Sequence, residues 1–496
     1  MFWLLGGIAF LTAGYFTYGK LVERFLSPCD SATPAVAHPD GVDCMPLPKW
    51  KNMLIQLLNI AGVGPVIGVI AGIKFGKVAF LIIPAGCVFL GAVHDYIGAM
   101  ASIRMDGANL PKIIRSTLGK WYATVFSWFM LALLLLVVAV FINVPANLID
   151  KQWLPDVPFF WWAVAIIFLY YIVATLFPVD AIIGRVYPVF GALLLVGSVA
   201  ILGSVLWNAF QTPSILEEGE AFLRYRREVF NAGGRSPIFP LLFVTIACGI
   251  ISGFHATQSP IVARTIKSER EARVTFYGMM IAEGVIAMIW SAAALAMYNI
   301  APENLSLPPA QVLGKIATRF LGPWMGGVAV FAIVILAITS GDTALRSSRL
   351  SISEMLKIDQ VRLPPRILTC LPLILIVAAC LWWSNLSAKS FGHVWNYFAW
   401  GNQVLSASTL MACSVWMLRE GKGMKSLVAL VPGMFMVAVV VTFILWTSID
   451  KGQPWGLVSG GMPLVPAALT AVAVAVAFAC IVVRLGCSGA KKSCRL

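Results

Sequence analysis

Charge is what this 496-residue sequence has least of: Asp, Glu, Lys and Arg together make up 12% of it, and only four residues are histidine. Soluble domains carry about 25% charged residues, so an ordinary water-facing surface is excluded. No glycine-rich phosphate loop and no serine on a nucleophile elbow occurs, which argues against ATP hydrolysis or serine-type acyl transfer within the chain. The first apolar stretch, Phe2 to Tyr18, lacks a basic region before it and a clear cleavage site, so it reads as a retained span rather than a signal peptide. The cysteines form no zinc pattern. Cys87, Cys248, Cys370, Cys380, Cys413 and Cys480 lie inside apolar runs as small hydrophobes. Cys29 and Cys44, with His38, Asp40 and Asp43 near them, share one loop and are the only conceivable metal candidate.

What is present is apolar: 59% of residues are hydrophobic and the mean hydropathy is +0.87. Runs of about 20 apolar residues, the length that crosses a bilayer as a helix, recur along the whole chain. Spans are expected at 2–18, 54–73, 79–102, 121–143, 159–177, 186–207, 239–261, 275–298, 323–344, 367–384, 391–417, 427–447 and 463–483, about thirteen helices. The formal charge of +14 fits topology better than nucleic acid, because most of the 36 Lys and Arg residues fall in alternate short loops. Those loops are then cytoplasmic, which puts the amino terminus outside and the basic carboxyl terminus inside a bacterial-type inner membrane. The longest outside loop, Asn208 to Arg235, mixes Glu217, Glu218 and Glu220 with Arg224, Arg226 and Arg227. It reads as a solvated amphipathic surface helix without chemistry.

Two expected spans break the helical rule in the same way. The second holds Asn59, Gly62, Gly64 and Pro65 at its middle; the seventh holds Ser252, Gly253, His255, Thr257, Gln258, Ser259 and Pro260. Proline removes a backbone donor and glycine tolerates non-helical angles, so both segments are expected to unwind at membrane depth, where unwound backbone must line protein or a wet cavity. The breaks lie five spans apart, so they run in opposite directions. This is the signature of an inverted repeat with a binding site at its centre.

Taken in order, Asn59-Ile-Ala-Gly-Val-Gly-Pro65, Gly91-Ala-Val-His-Asp-Tyr96, Gly253-Phe-His-Ala-Thr-Gln-Ser-Pro260 and Thr339-Ser-Gly-Asp-Thr343 resemble the carbon starvation protein A family of bacterial transporters over nearly the whole chain. The resemblance implies an all-α polytopic membrane protein with the LeuT-like five-plus-five inverted repeat and its broken helices. It also implies peptide or pyruvate uptake in nutrient limitation. On that mapping, residues 1–53 form an extra helix and loop, 54–207 the first repeat, 208–238 the external segment, 239–417 the second repeat, and 418–496 two further helices with a basic tail.

The expected solute site is Gly62, Gly64 and Pro65 facing Gly253, His255, Thr257, Gln258 and Ser259. There, half-helix amino termini and an imidazole suit a carboxylate. His94 and Asp95, inside the third span, read either as a proton coupling or gating site or as a hydrogen-bonded pin between helices. Thr339, Ser340, Asp342 and Thr343 offer oxygens to Na⁺ or a carboxylate to H⁺, with an Asp342–Arg346 pair one turn apart as the structural alternative. Asn143, Pro145 and Asn147 read as the end of the fourth span. Asn402 and Gln403 read as path-lining or helix-bridging groups. No cofactor is expected beyond a coupling ion. A channel, a starvation sensor and a lipid-acting enzyme are the competing functional classes.

Overall fold

The computed structural model describes residues 1–41, 43–153, 157–176, 179–358, 360, 362–386, 388–451 and 456–490; within helices, the side chains of 152, 179–188, 388–393, 449 and 489–490 stand outside that description, as does most of the basic tail. The described residues form helices and connections, with no strand among them. In chain order the principal helices are α1 (Phe2–Phe16), α2 (Lys49–Ile60), α3 (Gly64–Phe75), α4 (Ala79–Arg104), α5 (Lys120–Gln152), α6 (Phe160–Leu176), α7 (Val179–Gln211), α8 (Ala247–Ile250), α9 (Gly253–Ala263), α10 (Glu269–Ile300), α11 (Pro309–Leu356), α12 (Leu363–Ser384), α13 (Ala388–Arg419), α14 (Leu427–Trp446) and α15 (Leu464–Ala490).

Eight of these are long and apolar enough to cross a membrane, and the bent pair α2 and α3 makes a ninth. The expected count of thirteen also includes α1 and α6, at 15 and 17 residues, the broken pair α8 and α9, and the polar α13. Length or composition keeps these four outside the criterion. Apolar side chains cover the outside of the bundle, with Trp121, Trp324, Leu368 and Leu469 each more than 60% exposed. A polar core of Asn, Gln, Ser, Thr, His and Asp is sealed within it. This inverts the soluble arrangement, as a lipid solvent demands.

Both expected breaks are present. The chain unwinds at Ala61–Val63, where α2 and α3 meet at a bend of 53°, and at Ile251–Ser252, both extended (φ −167° and −138°). The second break is shorter than expected: from Gly253 onward the backbone is regular helix through Pro260, so His255, Thr257, Gln258 and Ser259 occupy the opening turns of α9. The ends of α2 and α9 away from the breaks, on the basic face that carries Lys49, Lys51 and Arg264, are tied together, since Asn52 Nδ2 donates to the Thr265 carbonyl at 3.2 Å and Thr265 Oγ1 donates to Asn52 Oδ1 at 2.7 Å.

Two expectations of helix ends are corrected. α5 runs on through Pro145 to Gln152. Proline at 145 strands the Phe141 carbonyl four residues earlier, and the Tyr171 hydroxyl donates to that oxygen at 2.9 Å, so the helix continues instead of ending. The 208–238 segment is also more than a solvated helix. Phe222 is buried, Asn299 Nδ2 donates to the Ile215 and Glu217 carbonyls at 2.8 and 2.6 Å, and Glu218 accepts from the Lys77 amide at 2.6 Å. Ion pairs Lys77–Glu217 and Arg226–Glu218 complete a strap across the end of α3.

Gly64 marks the closest approach of the broken helices. A Cβ there would stand 1.9 Å from the Cβ of Cys248, and one at Gly249 would meet the Pro65 Cα at 3.5 Å. Gly64→Ala is expected to destabilise the detergent-solubilised protein by about 1–3 kcal/mol through overpacking, read as a drop in thermal midpoint, and Cys248→Gly in the same chain should recover part of it. Gly6→Ala, where no atom lies within 4 Å, should leave the midpoint unchanged.

Candidate functional site: the two helix breaks

At the breaks, α3 and α9 begin while α2 and α8 end, so two half-helix amino termini and two carboxyl termini converge on one level of the bundle. Amino termini present free amides and positive dipole ends; carboxyl termini present free carbonyls. The fold meets part of this demand with side chains from other helices. Asn402 Oδ1 accepts from the Phe254 amide at 2.6 Å while its Nδ2 donates to Ser252 Oγ at 2.6 Å, and Gln403 Nε2 donates to the Ile251 carbonyl at 3.3 Å. Asn402 and Gln403 therefore splint the second break. Ser340 Oγ splints the first, donating to the Leu58 carbonyl at 3.1 Å. Phe141 packs at 3.1 Å from where a Gly62 Cβ would stand and meets Phe254 and Phe398 edge-on, an aromatic wall beside both breaks.

The expected residues divide by role. Gly62 faces this wall and Ser340. Gly64 and Pro65 form the helix crossing, and Gly253 is pressed against α13, where a Cβ would lie 2.4 Å from the Asn402 carbonyl oxygen. Glycine at 64 and 253 is thus required by packing. Thr257 Oγ1 donates to the Phe254 carbonyl at 2.7 Å, and Gln258 Nε2 donates to Thr257 Oγ1 at 3.0 Å. Ser347 on α11 donates to the Thr257 carbonyl at 2.9 Å. Thr339 and Thr343 bond back to carbonyls of their own helix, at 2.9 Å to Leu336 and 3.0 Å to Ser340.

A set of buried polar atoms has no hydrogen-bond partner: both amide atoms of Gln56 and of Asn59, Gln258 Oε1, Ser259 Oγ, both oxygens of Asp342 and both of Glu283. Several such groups, on α2, α9, α10 and α11, exceed what a finished core leaves unpaired. They suit a region that takes up water, an ion or a polar solute. Asp342 does not form the pair with Arg346 that stood as the structural alternative to an ion or proton site. The Tyr170 phenol lies beside it without reaching normal hydrogen-bond geometry, and Arg346 extends to the Ala174 carbonyl (2.7 Å) and Asp43 (3.4 Å). Asp43 also lies 3.9 Å from the buried Arg349, whose other named partner is Gln360 at 2.7 Å. The polar face of α11 thus continues past the expected span end at 344 down to Ser353.

His94 and Asp95 are brought to the second break. Asp95 Oδ1 lies 2.8 Å from His94 Nδ1 and Oδ2 lies 3.1 Å from His255 Nδ1, all fully buried. The structure adds Glu283 on α10, with Oε2 3.8 Å from His255 Nε2. The available signal was a lone acid amid Met280, Ile281, Val285 and Ile286, which a search for intramembrane charge alone would have found. Cys29 and Cys44 are free thiols. Cys29 bonds to Glu269, and burial pushes the Cys44 thiol up to about 11, so it offers no thiolate near neutral pH. No group of three or more metal-ligating side chains occurs among the described residues.

Broken helices crossing at the centre of a polytopic bundle, splinted by polar groups, define a membrane transport protein of the LeuT fold rather than an enzyme. Solved structures agree on the fold. A manganese transporter of Eremococcus coleocola superposes with a TM-score of 0.53 over 90% of this chain and 97% of its own at 12% identity. A Na⁺-coupled sialic acid symporter does so at 0.52 over 100% and 98%, with 14% identity, and MhsT, in complex with L-phenylalanine, at 0.54 over 89% and 99%, also with 14% identity. The chain belongs to the carbon starvation protein CstA family, matched over residues 1–218, 161–320 and 301–443. A membrane protein of Haemophilus influenzae is 42% identical over 60% of this chain and 92% of its own length. The Campylobacter jejuni peptide transporter CstA is 23% identical over 91% of this chain and 80% of its own. The Escherichia coli pyruvate/proton symporter BtsT is 26% identical over 56% of this chain. This chain spans about half the length of BtsT and of the Helicobacter pylori peptide transporter CstA.

Removing Asp43 leaves Arg349 buried with Gln360 alone. Asp43→Ala should therefore cost about 3–5 kcal/mol, read in the unfolding midpoint, and the double variant Asp43→Ala/Arg349→Met should regain much of it.

Proposed function

We propose that this protein is a secondary active importer of small carboxylate solutes, with pyruvate and short peptides as the candidate substrates and H⁺ or Na⁺ as the driving ion, used in nutrient limitation. The observation that carries the reading is the convergence of two half-helix amino termini beside buried polar groups that lack partners. Amides and dipole ends at α3 and α9 attract a carboxylate, while the orphaned Ser259 hydroxyl donates a hydrogen bond on arrival and Gln258 Oε1 is left to accept from a peptide N–H. In this reading the solute meets Gly62 on one side and the first turns of α9 on the other, and Gly64, Pro65 and Gly253 set the spacing. His94, Asp95, Thr339, Ser340, Asp342 and Thr343 form the coupling and gating set. The names of BtsT and the CstA peptide transporters supply the solute candidates.

Alternating access follows from the same arrangement. The repeats 54–207 and 239–417 would rock about the crossing of the broken helices, exposing the breaks first to one face and then to the other. In the proposed orientation the amino terminus is outside an inner membrane and the carboxyl terminus is cytoplasmic, with the 208–238 strap on the outside.

Purified protein in proteoliposomes should accumulate labelled pyruvate or dipeptide under a pH or Na⁺ gradient; accumulation of neither under any gradient would defeat the reading. His255→Ala should raise the half-saturation concentration by about tenfold, the cost of one hydrogen bond to a charged group. Asp342→Asn should alter the pH or Na⁺ dependence of uptake instead, and an unchanged ion dependence would remove Asp342 from the coupling set.

A further inference from the structure

The reading above leaves Glu283 without a task, although an unpartnered acid buried in the bundle is costly. Its side chain is fully buried on α10, and neither carboxylate oxygen has a hydrogen-bond partner. A structural acid in a membrane core normally collects donors, because an unpaired charge there costs several kcal/mol. The group nearest to it is an imidazole that already serves another carboxylate. Glu283 Oε2, His255 Nε2 and Nδ1, Asp95 Oδ2 and Oδ1, and His94 Nδ1 follow one another at 3.8, 3.1 and 2.8 Å across the ring and carboxylate gaps, threading α10, α9 and α4.

The surroundings of this file are informative. The charged groups that act on Glu283 are His255 and Asp95, and those that act on Asp95 are His255 and His94. The other titratable neighbours are the Cys87 thiol, which donates to the Gly249 carbonyl at 3.2 Å, and the Cys248 thiol, which accepts from Asn402. The Ile60 carbonyl, at the end of α2, lies beside the His255 ring. No Lys or Arg appears among these neighbours. The net charge of the file therefore changes only by gaining or losing protons, while its central imidazole sits in the first turn of the half-helix that faces the solute.

We propose that the Glu283–His255 pair is the proton-loading site of the transporter, taking up one proton with each carboxylate solute that docks at the start of α9. The proposal rests on the transport reading and extends it to a named proton carrier. A carboxylate arriving beside His255 adds one negative charge to a sealed, low-dielectric region. One proton taken up between Glu283 Oε2 and His255 Nε2 restores the balance, and no other bond is made or broken. The 3.8 Å separation fits this use: it is too long for a fixed hydrogen bond and short enough for one water or a small rotation to pass a proton. Asp95 holds the far nitrogen of the ring and so orients it, as His94 in turn braces Asp95.

The test uses the purified full chain with two readouts. In proteoliposomes, Glu283→Gln should lower accumulation of pyruvate or dipeptide under an inside-alkaline gradient by about tenfold or more, while solute exchange at equal pH on both sides continues. Independently of any solute, infrared difference spectra between acid and alkaline pH should show a protonated-carboxyl band in the wild type that is missing from Glu283→Gln and retained in Asp342→Asn. Glu283→Asp should keep the band with a shifted midpoint, which separates loss of the proton site from loss of the fold. A band that persists unchanged in Glu283→Gln, or gradient-driven accumulation equal to that of the wild type, overturns the proposal. If the wild type moves neither solute, the transport reading fails, and the infrared measurement still decides whether Glu283 binds the proton.

Discussion

Every feature at the centre of this molecule depends on how two interrupted helices satisfy their backbone in a solvent that offers no hydrogen bonds. A break in a membrane helix exposes amides on one side and carbonyls on the other, each costing several kcal/mol if left to lipid. Here the second break is held by Asn402 and Gln403 of α13 and the first by Ser340 of α11. Those two helices are thereby committed to the site as splints. At the crossing the Cys248 side chain packs directly on the bare backbone of Gly64, so the helices approach with one side chain between them instead of two. Unsatisfied buried atoms of Gln56, Asn59, Gln258, Ser259 and Glu283 stand on the helices that meet here, beside others elsewhere in the bundle.

The same logic governs proline. Pro145 strands a carbonyl inside α5, yet the helix continues because the Tyr171 hydroxyl reaches that oxygen. Tyr171 lies close against α11, where a Cβ on Gly341 would come 2.1 Å from its hydroxyl oxygen. Tyr277 and Tyr298 act likewise, donating to the Val88 and Ile70 carbonyls where the local helix is widened or shortened. A phenol is well suited to this, being apolar along its ring and polar only at its tip. Carbonyls freed by proline and π-turns are thus satisfied by a phenol from a partner helix.

These partners explain what was legible in the sequence. The pair of Gly/Pro breaks is a local signal repeated at one repeat length, so it could be read directly, and with it the fold. Whether a given polar residue caps, splints or lies free depends on a helix hundreds of residues away. Asn402 could be read as lining a path or bridging helices, but that it caps Phe254 was invisible. The Asp342–Arg346 pairing looked natural at one turn's distance and is not formed, because Asp43 and the open end of α6 compete for the guanidinium. The end of α5 was misplaced at Asn143 because Tyr171 could not be foreseen. Glu283 is the opposite case. Its signal was present in the sequence and was hidden only by the absence of a neighbouring motif.

The two ends of the broken-helix pair are closed by interactions of different strength. On the strap side, Lys77–Glu217 and Arg226–Glu218 are partly solvated pairs, each worth about 0–1 kcal/mol. On the basic face, Asp43, Arg346, Arg349 and the Ala174 carbonyl form a buried cluster, and separating such charges without new partners costs about 3–5 kcal/mol. In the alternating-access cycle proposed above, opening the basic face would therefore have to replace the contacts of Asp43 with both arginines, whereas opening beneath the strap would need only water.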